Sequence, residues 1–341
     1  MTEYDKLALS ASSSPHVRAQ DGTRSLMLDV IISLMPALAM SIYVFGFRTL
    51  IAAAVSVAGS VFFEWLYRKL LHKPDSIGDL SAAVTGLLLA MTCPSTLPYW
   101  MLLIGDFFAI VVVKQLYGGI GKNFINPALV GRAVLVACYA SAMTVWAKPF
   151  EKVPLFRIPA DVVTAATPMT ILKNNGLAAL QETYSLRDVF MGFVGGSAGE
   201  ISALMLLLGG LYLIARRVIS WHIPVTFIGT VAVLTVLFPQ GGAAPLPFML
   251  YELCGGGLML NAFFMATDYV TSPVTKQGQV IYGIGCGLIT VLIRYFGAYA
   301  EGACYAILVM NCLTWLIDRS IKPERFGVVR SRKSRKKVPE A

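Results

Sequence analysis

Charge is what this sequence has least of. Asp, Glu, Lys and Arg make up 14% of its 341 residues, against 56% hydrophobic residues and a mean hydropathy of +0.68. Soluble domains carry about 25% charged residues. This chain has too little polar surface to stay in water, which excludes the ordinary soluble enzyme. The net charge of +9 does not open a nucleic-acid reading, because the excess is gathered in one place. From Arg319 onward come Lys322, Arg325, Arg330, Arg332, Lys333, Arg335, Lys336 and Lys337. A basic tail behind an apolar helix marks a cytoplasmic end and suits a solvated segment near anionic lipid.

Soft metal ligands are also sparse. Of six cysteines none lies in a CxxC, and the three histidines do not cluster with them. Zinc and iron–sulfur sites need closely spaced ligands, so no metal site within this chain is expected; a cluster shared with another subunit stays open. Residues 1–25 are polar and lack the hydrophobic region of a secretory leader. The first membrane helix is expected to direct insertion. The alternating pattern of a barrel strand is missing as well.

What the sequence does have is apolar runs near the roughly 20 residues that an α-helix needs to cross a bilayer. Unpaired backbone cannot sit in lipid, so the runs should be helices. Ten such segments are predicted: 26–45, 50–70, a short 80–92, 99–116, 128–145, 201–215, 223–238, 247–266, 280–296 and 300–317. With the N-terminus inside, the cytoplasmic loops hold Arg68, Lys69 and Lys73, then Lys122, then Arg216 and Arg217, then Lys276, then the basic tail. The outer loops are nearly free of basic residues, Arg48 excepted, which satisfies the positive-inside rule. The long polar stretch then lies outside, with Lys148, Lys152, Arg157, Lys173 and Arg187 offset by Glu151, Asp161, Glu182 and Asp188.

That stretch divides the chain. The expected order is a cytoplasmic segment (1–25), a first five-helix half (26–146), an extracytoplasmic loop (147–198), a second five-helix half (199–318) and a basic cytoplasmic tail (319–341). An odd number of helices per half makes the halves inverted in the membrane. GLLLAMTCPS from Gly86 has an echo in GLMLNAFFMATDYVTSP from Gly257, each an apolar run ending in a polar turn with proline. Inverted repeats with interrupted helices build many transport-like folds, with sites near the repeat interface. The fold class expected is therefore an all-α polytopic membrane protein of about ten transmembrane helices in two inverted five-helix repeats.

The outer loop contains Asp161-Val-Val-Thr164-Ala-Ala-Thr167-Pro168. This resembles the acceptor pattern of flavin transferases, Asp-x-x-Ser/Thr-Gly-Ala-Thr. In proteins that bear the pattern, a magnesium-dependent transferase moves FMN from FAD onto the last threonine as a phosphodiester. Ala165 stands where Gly is usual. The resemblance implies covalent FMN on Thr167, with Asp161 and Thr164 serving transferase recognition on an accessible segment with small neighbours.

Four further stretches carry a wider resemblance: GDFFAIVVVKQLYGGIGKNFINPALVGRA from Gly105, GGSAGEISALMLLLGG from Gly195, RRVISWHIPVTF from Arg216 and MATDYVTSPVTKQGQVIYG from Met265. Together, over residues 20–325, they resemble the family of the D subunit of the Rnf complex, a ferredoxin:NAD⁺ oxidoreductase, and of the homologous B subunit of the sodium-pumping NADH:quinone reductase. Length favours the former. The resemblance implies an electron-relay subunit of a hetero-oligomeric complex in the bacterial inner (plasma) membrane, coupled to Na⁺ or H⁺ export, with both termini cytoplasmic. It implies a noncovalent riboflavin besides the FMN, other Rnf subunits and a flavin transferase as partners, and no nucleic acid. No Rossmann GxGxxG follows a strand, so NAD is expected on a partner subunit. A flavin-free permease of the same architecture is the rival reading; it leaves the Asp161–Thr167 motif unexplained.

Secondary positions each have a plain structural reading beside the functional one. Asn123 and Asn126, in KNFINPA, either contact the riboflavin or cap a helix. Asp268, Thr271 and Ser272 share that ambiguity, and Pro127 and Pro273 suit broken helix starts. Gly195, Gly196, Ser197 and Gly199 either offer amides to a flavin or pack closely. Intramembrane ionisable residues are often functional: Asp29, Glu64, Asp106, Lys114, Arg132, Glu200 and Glu252 are the candidates. Asp106 and Lys114, about two helical turns apart on one face, are placed either to pair across a water-lined pocket or to serve an ion path; for those near span ends snorkelling suffices.

Overall fold

A computed structural model describes residues 22–151, 153–155 and 165–322. Asp161, Thr164 and the basic tail beyond Lys322 lie outside these. The described chain is all helix, with no strand; Pro94 and Ser197 form an isolated antiparallel bridge.

The first five helical segments are α1 (Thr23–Phe45), α2 (Phe47–Leu70), α3 (Ser81–Thr92), α4 (Tyr99–Phe107) and α5 (Pro127–Cys138). Gly46, at φ +83°, turns the chain between α1 and α2. Residue Leu80 takes a left-handed conformation, and Asp79 caps α3 by accepting from Ser81 N at 2.8 Å. The α4 helix widens into a π-helical stretch, Phe108–Gln115. Pro127 stands at the first turn of α5, where its missing N–H costs nothing.

The next elements are short: α6 (Ala140–Met143), α7 (Pro168–Thr183), bent at Gly176 (φ +84°), and α8 (Leu186–Met191). Then follow α9 (Ala203–Ala215), α10 (His222–Leu237), α11 (Pro245–Cys254), α12 (Leu258–Leu260) with a π-helical continuation Asn261–Met265, α13 (Lys276–Phe296) and α14 (Ala303–Ser320).

Helix covers part of each of the ten apolar segments, but among the described residues three helices, α1, α2 and α13, are long and apolar enough to cross a membrane, or four if α11 and α12 with its continuation count as one bent span. Two segments differ from expectation. The fifth stops at Cys138, where Tyr139 leaves helical geometry (φ −130°, ψ 44°). The eighth is not one rod. Gly255-Gly256-Gly257 breaks it by 63°, with Gly256 at φ +69°, a conformation that only glycine adopts freely.

The chain wears its apolar side chains outside. On α13, Ile281, Ile284, Leu288 and Leu292 are exposed at helical spacing; Leu28, Ile32 and Met35 do the same on α1. Patches of this extent mark contact with lipid or partner proteins. Inside, an apolar core also encloses several charges, and most of these pair. Lys114 Nζ meets Glu64 Oε2 at 2.6 Å, Arg294 Nη1 meets Glu252 Oε2 at 2.6 Å, and Arg132 Nη1 meets Glu200 Oε1 at 3.0 Å. At the surface end of α9, Arg216 meets Asp29 at 3.3 Å. The expected Asp106–Lys114 pairing is not formed, because Glu64 and the Ser81 hydroxyl take the lysine.

Packing follows a repeated scheme. The α2 helix packs on α3 and α4, and α4 on α5; α10 packs on α11 and α13, and α13 on α14; α1 meets α9 and α5 meets α14. Arg48, the exception to the expected charge pattern, is buried. Its guanidinium donates to the carbonyls of Ser95, Thr96 and Leu97 and of Pro154 and Leu155, and lies 4.9 Å from the Tyr99 ring. It is a staple between two turns, a structural role that accounts for a basic residue where the expected charge pattern has few.

Candidate functional site

Two cavities flank α5. The larger, of about 570 Å³, is lined by α5 from Arg132 onward, by the segment around Trp146, by the start of α7 and by the α13–α14 connection. Thr167 forms part of its wall. It is the N-cap of α7, with φ −68° and ψ 152°. Its Oγ1 accepts from Thr170 N at 3.2 Å and lies 2.8 Å from Thr170 Oγ1, while Pro168 opens the helix. The local sequence dictates this: Thr is a good N-cap and Pro a good first residue. The residue is 5% exposed, more enclosed than the accessible acceptor expected from its small neighbours.

Cations and rings line the same cavity. Lys173, on the next turns of α7, donates to the carbonyls of Gly297 (2.5 Å) and Tyr299 (2.9 Å), tying α7 to the α13–α14 connection. Burial pulls its amine below the ordinary lysine value, against a smaller opposing pull from Glu252. Arg132 reaches from α5 and holds Glu200 and, at 3.4 Å, Glu301. The Tyr299 and Tyr305 rings stack at 5.2 Å, and Trp146 completes an aromatic lining. A helix N-terminus with Lys173 in the same lining suits an anionic group, while Arg132 is already matched by Glu200 and Glu301. Aromatic walls suit a flat ring system.

The smaller cavity, of about 290 Å³, brings together Asn123, Asn126, Lys114, Ser81, Asp268 and the start of α1. Asn126 is committed to structure. Its Oδ1 accepts from Ala128 N and Leu129 N, and its Nδ2 donates to Met265 O across the fold at 3.2 Å. Asn123 donates to Ile125 O at 3.3 Å and is the freer amide. Asp268 is held by Thr271 Oγ1 at 3.1 Å within its own turn. Pro127 and Ala128 line this cavity and Arg132 lines the larger one, so about 6 Å of α5 separates the two walls.

Gly196 and Ser197 are not brought to either cavity. Their segment seals the end of α3: Ala198 N donates to Cys93 O at 3.0 Å and Gly199 N to Met91 O at 2.7 Å. A Cβ at Gly199 would sit 2.4 Å from Met91 Cβ, and one at Gly195 would sit 3.0 Å from Ala165 Cβ. Several site residues escaped sequence reasoning. Trp146, Tyr299, Tyr305 and Glu301 stand in no recognisable motif. The spacing Tyr299–Glu301–Tyr305 at a helix start was the one available signal.

The chain matches the NQR2, RnfD, RnfE family over residues 10–327. It is 48% identical over 334 residues to the D subunit of the Na⁺-translocating ferredoxin:NAD⁺ oxidoreductase complex of Acetobacterium woodii, covering 97% of this chain and 99% of that protein. It is 42% identical over 333 residues to the D subunit of the proton-translocating ferredoxin:NAD⁺ oxidoreductase complex of Clostridium ljungdahlii, covering 96% and 99%. To the D subunit of the ion-translocating oxidoreductase complex of Stutzerimonas stutzeri it is 38% identical, covering 89% and 91%.

Proposed function

On the premise that the chain belongs to the NQR2, RnfD, RnfE family, we propose that it is the membrane electron-transfer subunit of an Rnf-type complex, an ion-translocating oxidoreductase. In this reading the complex couples ferredoxin:NAD⁺ electron transfer to Na⁺ or H⁺ translocation. The chain works among other Rnf subunits in the bacterial plasma membrane and carries FMN on Thr167, with riboflavin in the smaller cavity.

One observation carries the flavin assignment: the Thr167 hydroxyl caps a helix on the wall of a cavity that offers Arg132, Lys173 and stacked tyrosines. The residues fit the group. A phosphoryl on Oγ1 would lie at the positive end of α7, with Lys173 nearly two turns on, and the aromatic lining would take the ring. FMN would supply the electron transfer; the protein fixes its place and its electrostatics. Covalent attachment keeps a flavin from leaving an outward cavity. Since Thr167 is enclosed, the transferase acts before α7 docks, or on a chain in which it is lifted.

Asn123 and Asn126 would meet the second flavin, Asn123 as the donor and Asn126 through the helix it caps. Gly196 and Ser197 we assign to close packing, not flavin contact. The short α5 path between the cavities supports a relay from one flavin to the other. The repeated packing scheme supports ten spans in two inverted halves of five, and the distribution of basic residues in the loops supports residues 147–198 outside and both termini inside. The B-type component of a sodium-pumping quinone reductase would share these features and differ in partners. Two cavities flanking α5 and lined from both halves also suit a flavin-free permease, but such a protein has no use for the Asp161–Thr167 motif.

In-gel flavin fluorescence of the denatured chain, coexpressed with a flavin transferase, is the test. A fluorescent band that disappears in Thr167→Val is expected. A dark band in exported, transferase-supplied wild type would defeat the attachment and leave the permease reading in front.

A further inference from the structure

Five carboxylates are buried among the described residues: Asp29, Glu64, Asp106, Glu200 and Glu252. Four of them have an arginine or lysine within ion-pair distance. Asp106 has none among the described residues, although it is 0% exposed and lies on α4 between α2 and α3. A lone carboxylate in such a place is too costly to leave bare.

Its surroundings supply oxygen and no nitrogen. Ser60 Oγ lies 2.8 Å from Asp106 Oδ1, Ser56 Oγ lies 2.7 Å from the same atom, and Ser56 Oγ also lies 2.8 Å from Gly86 O. These four oxygens form a chain of three close contacts. Each contact needs a hydrogen or a cation between its oxygens, because two lone pairs repel. The two hydroxyls bring two hydrogens. If Ser60 donates to Asp106 Oδ1 and Ser56 donates to Gly86 O, the Ser56–Asp106 contact is short of one positive charge.

The second carboxylate oxygen, Oδ2, has no hydrogen-bond partner among the described residues and is buried. It faces Gly59, where even a Cβ would come within 3.2 Å. The glycine keeps that side open. On the facing elements, α2 presents Ser56, Gly59 and Ser60 and α3 presents Gly86, and the Cys93 thiol beyond the end of α3 lies in electrostatic reach. Glu64, further along α2, is taken by Lys114. Two residues past Asp106 the helix becomes π-helical, a local widening that often accompanies functional sites.

We propose that Asp106, with Ser56, Ser60 and the Gly86 carbonyl, is a reversible binding site for a monovalent cation, H⁺ or Na⁺, inside this subunit. In one state the carboxyl carries a proton on Oδ1 and donates it to Ser56. In the other that proton has left, either alone with a change of one charge or in exchange for Na⁺ held by the same oxygens, which keeps the site neutral. This assignment stands apart from the flavin reading: it uses none of the residues around either cavity wall at Thr167 or Asn123.

The test is infrared difference spectroscopy on the intact purified complex, following the carbonyl stretch of a protonated carboxyl, which a carboxylate lacks. Spectra are taken between low and high pH without sodium, and between sodium-free and sodium-loaded complex at fixed pH. Wild type is compared with Asp106→Asn and Ser60→Ala, each checked for complex assembly. The expected result is a carboxyl band in wild type, deleted in Asp106→Asn and displaced in Ser60→Ala. A band that responds to sodium at fixed pH makes the ligand Na⁺ in exchange with H⁺; one that responds to pH alone makes it H⁺. Wild-type and Asp106→Asn spectra that coincide would overturn the proposal. So would a band deleted in Asp106→Asn but unmoved in Ser60→Ala, because the absorbing carboxyl would then lie elsewhere.

Discussion

Replacing Arg132 with glutamine should destabilise the chain far more than replacing any surface arginine. Arg132 is buried and serves two carboxylates, Glu200 at 3.0 Å and Glu301 at 3.4 Å. The side chain of Glu200 is 2% exposed and that of Glu301 22%. Without the guanidinium, Glu200 is left without its cation in a nearly dry site, where it must bear a bare charge or take up a proton, and breaking a buried pair costs about 3–5 kcal/mol. Glu301 can turn toward water and adds little. At about 2 °C per kcal/mol for a chain of this size, Arg132→Gln should lower the unfolding temperature by roughly 6–10 °C. The same logic says that Arg132→Gln combined with Glu200→Gln removes both charges, lets the two amides bond, and recovers most of the loss, to within about 2 kcal/mol of wild type. The readout is the amount of this chain left soluble after graded heating of the purified complex, detected by a tag. A double variant as unstable as the sum of the singles would refute the reasoning, since the two residues would then contribute separately and the pair would not be coupled.

Two further substitutions test the frame around the site. Arg48→Lys keeps the charge but loses the fork that reaches five carbonyls on two turns; a loss of about 2–4 kcal/mol, measured by the same heating assay, is expected, and an unchanged profile would show the staple to be dispensable. Gly199→Ala puts a methyl 2.4 Å from Met91 Cβ, an atom that cannot swing away; overpacking of about 1–3 kcal/mol should appear, with protease sensitivity of the 195–202 segment rising, and neither change would be expected if that glycine run served a ligand and not packing.

Much of the fold was legible because lipid imposes one rule on the chain: apolar runs become helices and face outward. The positions of helices 1 to 5 and 9 to 14 follow from that rule and from caps such as Asn126 and Thr167. The breaks were harder. Gly255-Gly256-Gly257 sits inside an apolar run long enough to cross, and hydropathy alone averages over the bend. Partner choice was not legible at all. Asp106 and Lys114 share a helix face, and periodicity cannot say that Glu64, 50 positions earlier, claims the lysine at 2.6 Å. For the candidate site the motif marked Thr167, since a helix start needs a local signal. The ring of Trp146, Tyr299 and Tyr305 comes from distant segments with no shared spacing, and only the fold assembles it.

The pattern of charge inside the bundle bears on what those charges are for. Buried ion pairs rarely add net stability, because desolvation offsets most of the attraction. They do forbid alternatives, since any arrangement that separates the partners leaves a bare charge in a dry interior. Glu64 with Lys114 ties α2 to α4, and Glu252 with Arg294 ties α11 to α13. Arg132 with Glu200 and Glu301 reaches from α5 to the entries of α9 and α14. Each proposed half therefore has its own internal lock, and one triad joins the two beside the larger cavity. Non-directional apolar packing could let such helices slide or re-pair in lipid, where burial offers little preference between one apolar face and another. The locks remove that freedom and hold the Thr167 wall, α7 and the α13–α14 connection in one register. An electron relay whose cofactors must keep a fixed separation needs that fixed register more than it needs added stability.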